Sequence, residues 1–124
     1  MNSHFRANMQ THIAGADLSA KQFHFVKFGA AEDTVIACSV NDEKAIGVLM
    51  NAPASGERAE VALFGGGALL KLAATITRGD LVATNTNGEG KAVAAAGYAN
   101  AEAMQSGVSG DVIAVMLVKF QMNP

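Results

Sequence analysis

Apolar and polar positions alternate along most of this chain, and the alternation predicts strands. Gln22-Phe23-His24-Phe25-Val26-Lys27-Phe28 alternates through Phe23 and Phe25, with Phe28 as a further large anchor and His24 in the phase opposite to Phe23 and Phe25, facing solvent. Thr34–Val40 is a β-branched run of strand length, followed by a turn at Asn41-Asp42-Glu43-Lys44. Ala45–Met50 predicts another strand, whose interior Gly47 points to a bulge or a close backbone approach. Asn51–Glu57 is the sharpest break, because Pro53 cannot donate to a ladder and Gly56 supplies a left-handed return. Arg58–Phe64 alternates again, with Ala59, Val61 and Leu63 on one side and Arg58, Glu60 and Ala62 on the other.

Ala68–Ala74 is helix-compatible in composition, but its length and its setting between Gly65-Gly66-Gly67 and Gly79 predict a strand. Leu81–Thr84 follows, then the hairpin dipeptide Asn87-Gly88 leading to Lys91–Ala96. Val112–Phe120 is apolar in both phases and is expected to be covered on both faces. Residues 1–16 have no clear period. They are expected to be a loosely held N-terminal arm, a first strand being the equal alternative, with residues 17–124 as the β domain. The fold class is therefore mostly β, a small single domain with little helix.

At 124 residues the chain is long enough for one domain. Half of its residues are apolar, but 24 of these are alanine, so the core is thin in large side chains. Charged residues make up 16%, below the roughly 25% common in soluble domains, which suggests that a partner covers part of the surface. With a net charge of −2 and scattered Lys and Arg, no basic stripe exists to neutralise phosphates, so nucleic-acid binding is disfavoured. No apolar stretch has the length of a membrane span, and the lone Cys38 cannot close an internal disulfide.

Catalytic and metal-binding patterns are absent from the sequence. His4 and His12 fall in the expected arm, and there is no Gly-x-Ser-x-Gly elbow, Cys-x-x-Cys or His-x-x-x-His. Cys38, inside an apolar run, reads as a small buried hydrophobe. Gly65-Gly66-Gly67 lacks the Gly-Lys-Ser/Thr end of a phosphate loop, and Gly88-Glu89-Gly90 reads as a turn. Gly79-Asp80-Leu81-Val82-Ala83 echoes Gly110-Asp111-Val112-Ile113-Ala114. Asp80 and Asp111 could form a carboxylate pair, but two turn aspartates explain the echo better. No enzyme activity, metal or cofactor is expected.

An ordered set of short pieces runs through the chain. They are Gly15-x-Asp17-Leu18-Ser19, Phe25-Val26-Lys27, Ile46-Gly47-Val48-Leu49, Asn51-x-Pro53-x-x-Gly56-Glu57, Val61-x-x-x-Gly65, Ile76-x-x-Gly79-Asp80-x-Val82 and Gly110-Asp111-x-Ile113-x-Val115. From Gly15 to Leu117 this succession resembles the capsid cement, or head decoration, proteins of tailed phages. The resemblance implies a β-barrel or β-tulip-like domain that binds the outside of an icosahedral head, commonly as a homotrimer. The implied partner is the major capsid protein, and the implied location is the virion exterior after synthesis in the host cytoplasm. The matching residues are turn and core residues, so they carry over no contact site. The arm supplies the candidate capsid contacts, Phe5, Met9 and Ile13, which could order by adding a strand to an exposed sheet edge. A small β-barrel ligand-binding module, or another virion component of the tail or head, is the alternative.

Overall fold

A computed structural model of the chain describes residues 8–121. Ten strands and no helix make up the regular structure of these residues: β1 (Met9–Ala14), β2 (Phe25–Phe28), β3 (Thr34–Ala37), β4 (Gly47–Leu49), β5 (Arg58–Leu63), β6 (Gly67–Lys71), β7 (Leu81–Thr84), β8 (Gly90–Ala92), β9 (Tyr98–Ala103) and β10 (Val112–Gln121). The first five close into a barrel in the order β1-β3-β2-β4-β5, and the last five form a sheet in the order β6-β10-β9-β7-β8. The expected mostly-β class with a barrel is the observed one.

Two cores lie side by side, and three strands form the wall between them. Val26, Leu49 and Val61 point into the barrel, while their chain neighbours Phe25, Val48 and Ala62 point out of it, into the core shared with the second sheet. Side chains alternate along a strand, so a strand buried on both faces must read as a continuous apolar run. That is why β2, β4 and β5 lack a solvent face at these positions. The double-sided burial expected of β10 is not found there. Ile113, Val115 and Leu117 are buried, but Val112 and Met116 are 44% and 46% exposed, because no layer of the described residues covers the outer face of the second sheet.

Residues 9–14 are a correction to the expected arm, resolved in favour of its alternative. Met9–Ile13 pair antiparallel with Arg58–Ala62 of β5, and Ile13 and Ala14 pair in parallel with Thr34 and Val35 of β3. β1 is thus the strand that closes the barrel. Its weak sequence signal has a physical reason. Only Ala14 of this strand is fully buried, so it contributes backbone bonds more than apolar area.

A second correction concerns His24, which is 3% exposed and does not face solvent. Phe23 has φ 66°, a left-handed backbone that breaks the alternation, so His24, Phe25 and Val26 are buried in succession. Strand β9 carries no sequence signal at all. Tyr-Ala-Asn-Ala-Glu-Ala lacks β-branched residues, and its Ala99, Ala101 and Ala103 are buried as small inward fillers.

The Gly-Asp echo is structural. Asp80 Oδ2 accepts from the Thr77 N–H at 2.9 Å, and Asp111 Oδ2 accepts from the Val108 N–H at 2.9 Å. Both turns place glycine at positive φ, 95° at Gly79 and 93° at Gly110. The segments before them meet in an antiparallel bridge, Ile76 to Gly107.

Cys38 is 1% exposed, and burial pushes its thiol up to about 12. The thiolate is the reactive species, so the native chain should resist thiol reagents. Mixing with an aromatic disulfide reagent should give no thiol release until denaturant is added. Prompt reaction of the folded chain would contradict this placement.

Candidate functional site at the open mouth of the barrel

Among the described residues, the barrel interior is plugged at one end and open at the other. At the closed end Leu18, 2% exposed, packs with Ala14, Leu49 and Ala59, and its N–H donates to Pro53 O at 2.9 Å. The open end is a consequence of strand alternation. Ala14 faces inward, so His12 and Gln10 of β1 lie on the same side, and so does Phe28 two residues beyond the inward Val26. On β5 the inward series Ala59, Val61, Leu63 ends at the same rim.

Around this rim lies a cleft of about 330 Å³ lined by Asn8, Gln10, Phe28, Ile46, Leu63, Phe64 and Lys119. Phe28 and Phe64 are 66% and 55% exposed, an unusual setting for the largest apolar side chains. Asn8 is tied down at the rim, since its Nδ2 donates to Phe64 O at 3.2 Å and its carbonyl accepts from the Leu63 N–H at 2.8 Å. His12 packs edge-on against Phe28, with ring centroids 6.3 Å apart. Its Nε2 lies 2.7 Å from Gln10 Oε1 and donates to it. Its Nδ1 is out of contact with solvent and has no hydrogen-bond partner among the described residues. Mouths of β-barrels are a recurrent place for ligand and partner sites, because an apolar interior meets polar rim groups there.

Sequence reasoning found little of this. Of the candidate contacts, Met9 and Ile13 sit on β1 in the phase opposite to the mouth, 43% and 40% exposed on the outer wall. Phe5 lies outside the described residues. Gln10, His12 and Phe28 depend on the phase of β1 and β2 relative to the barrel axis, and Phe64 and Lys119 arrive from the end of β5 and from β10, all through pairings distant in sequence.

The remaining polar chemistry holds the two halves together. Asn100 Oδ1 accepts from the Ala45 N–H at 3.1 Å, and its Nδ2 donates to Glu43 O at 2.9 Å, joining β9 to the loop before β4. Burial opposes ionisation of Glu43. N–H bonds from Ser39 and Val40 and the Lys27 ammonium outweigh it and hold the carboxyl below its ordinary 4.5. Asp42 is likewise held below 3.8 against its burial, by Lys91 Nζ at 2.8 Å and the Ala94 N–H. These groups are committed to structure. Among the described residues, no group of three or more His, Cys, Asp or Glu side chains could hold a metal ion.

His24 sits where the hairpin of β7 and β8 docks on the barrel. Its Nδ1 donates to Gln22 O at 2.9 Å, and Nε2 is 3.8 Å from Glu89 Oε2, which is also 3.8 Å from Lys71 Nζ. Burial lowers its pKa from 6.5, the Lys21 and Lys71 charges add to this, and the Gln22 bond and Glu89 oppose it. The unfolded chain therefore binds a proton at His24 that the folded chain resists. Stability should be full above pH 6.5 and fall as the pH drops below it, until the depressed folded pKa is reached. Denaturant midpoints should decline between pH 7 and pH 5, and His24→Gln should flatten that decline. The Asp42 and Glu43 losses belong to a lower window, below their ordinary 3.8 and 4.5. An unchanged midpoint from pH 7 to 5 in the native chain would contradict the assignment.

No protein-family model matches the chain, and no curated protein does. Among solved structures, the chain is similar to the head fiber gp8.5 N base of bacteriophage phi29, with a TM-score of 0.69 and 12% sequence identity, over 90% of this chain and 96% of that one. At that identity the likeness establishes a shared fold.

Proposed function

We propose that this chain is a structural protein of a tailed-phage head, one that binds the outer surface of the capsid and stabilises it. The observation that carries the reading is the fold shared nearly end to end with a head fiber base. Two independent lines support it. The ordered motifs of the sequence resemble head decoration proteins, and the polar groups that could have done chemistry, Cys38, His24, Asp42, Glu43, Asp80 and Asp111, are each absorbed into packing or turns.

The partner on this reading is the major capsid protein, and the chain has no catalytic role. The mechanism is linkage. A protein that binds the assembled shell and not its dissociated subunits stabilises the shell by its binding free energy, and the gain grows with its free concentration. A homotrimer touching several capsomers would add avidity without strong single contacts. Thermal disruption of empty shells of the proposed partner, a tailed-phage major capsid protein, tests the mechanism. The disruption midpoint should rise with added chain and level off at saturation. A midpoint that ignores the chain at every concentration would overturn it.

A further inference from the structure

The barrel mouth has a chemistry of its own. Phe28, Ile46 and the adjacent Leu63 and Phe64 converge on it from three different places in the fold, and among the described residues Lys119 is the one charged side chain in its lining. Among the described residues Lys119 enters no ion pair, whereas Lys27, Lys71 and Lys91 each do. An unpaired ammonium beside low-dielectric walls attracts an anion more strongly than one on an open surface. The barrel is closed, so the mouth offers no strand edge, and a partner cannot bind here by adding a strand. What the site can take is a side chain. The volume of about 330 Å³ suits one large apolar group with the backbone on either side of it.

We propose that the mouth is a docking pocket for a protein segment in which a large apolar side chain stands next to a carboxylate. The rings of Phe28 and Phe64 flank the apolar group over Ile46 and Leu63, and Lys119 pairs with the carboxylate. Such an anchor in a pocket is the usual form of an interface hot spot. The pocket chemistry stands apart from head binding. Only the view that the capsid protein supplies the segment rests on the proposed function.

The test uses the full, isotope-labelled chain in solution, without shells, so its failure is distinguishable from a failure to bind heads. N-acetyl-phenylalanine and its carboxamide are titrated while backbone amide shifts are followed. The acid should give saturable shifts at Gln10, Phe28, Leu63, Phe64 and Lys119, and should bind roughly five-fold tighter than the carboxamide. Lys119→Gln should bring the two probes level, and Phe64→Ser should weaken both while leaving the amides of the second sheet in place. Several results would overturn the proposal: no saturable shifts, equal affinity for the two probes in the native chain, or tighter binding of N-acetylglucosamine than of either. So would mouth shifts that track protein concentration without probe, which would make the occupant a second copy. Probe binding that emerges only in a chain beginning at Asn8 would make it the chain's own first residues.

Discussion

Replacing Gly47 by alanine should lower the melting temperature by about 10 °C or more, the largest effect expected of any single methyl group in this chain. A Cβ at position 47 would lie 2.0 Å from the carbonyl oxygen of Ala62 and 3.0 Å from its carbonyl carbon. Those are backbone atoms of the neighbouring strand, so no side chain can rotate away. Gly47 pairs with Leu63 and Val48 with Ala62, so the methyl group forces β4 and β5 apart along a wall that serves both cores. Overpacking of this kind typically costs ~1–3 kcal/mol, and a backbone clash belongs at or above the upper end. Gly56 is the informative control. Its φ of 83° strains an alanine, but nothing lies within 4 Å of the added Cβ. Its substitution should cost about 1 kcal/mol. Equal losses at the two positions, measured by thermal or denaturant unfolding, would mean that β4 and β5 do not approach as described.

Deleting residues 1–14 should abolish cooperative folding, whereas a chain beginning at Asn8 should still unfold cooperatively. The longer deletion removes β1 entirely. Five antiparallel residue pairs with β5 and two parallel pairs with β3 are lost, and two new strand edges open where the barrel was closed. The interior Ala59 and Val61, both 0% exposed, would meet water through the gap. The shorter deletion retains every pairing from Met9 onward, together with the bond from Leu63 N to Asn8 O. Circular dichroism melts and solubility of the two truncations decide the matter. A cooperative, soluble chain lacking residues 1–14 would show that the barrel does not depend on β1. The same arithmetic bears on capsid contacts. The exposed Met9 and Ile13 belong to a structural strand, so their part in head binding is to be probed by point substitution at the outer wall, where folding is spared.

The sequence carried the strands whose burial is one-sided or whose β-branched content is high, and it missed those held by long-range context. Gly47 was readable as a close approach because glycine inside an apolar strand has few other causes. Gly79-Asp80 and Gly110-Asp111 were readable as turns because their bonds are local, three residues apart. β9 was invisible because alanine has no strand preference of its own, and its place is set by β10 on one side and β7 on the other. His24 lies on the side opposite to the one its phase predicts because the left-handed turn at Phe23 has no signature in a non-glycine residue. The mouth is not legible in the sequence for a different reason. Its lining comes from residues 8 to 119, and no window of sequence contains it.

Co-sedimentation with empty shells of the proposed partner, a tailed-phage major capsid protein, tests the central claim most directly. The chain should pellet with the shells, saturate at a fixed number of copies per capsomer, and be released when the shells are dissociated. A chain that stays in the supernatant at every concentration, beside shells shown to be intact, would contradict the account.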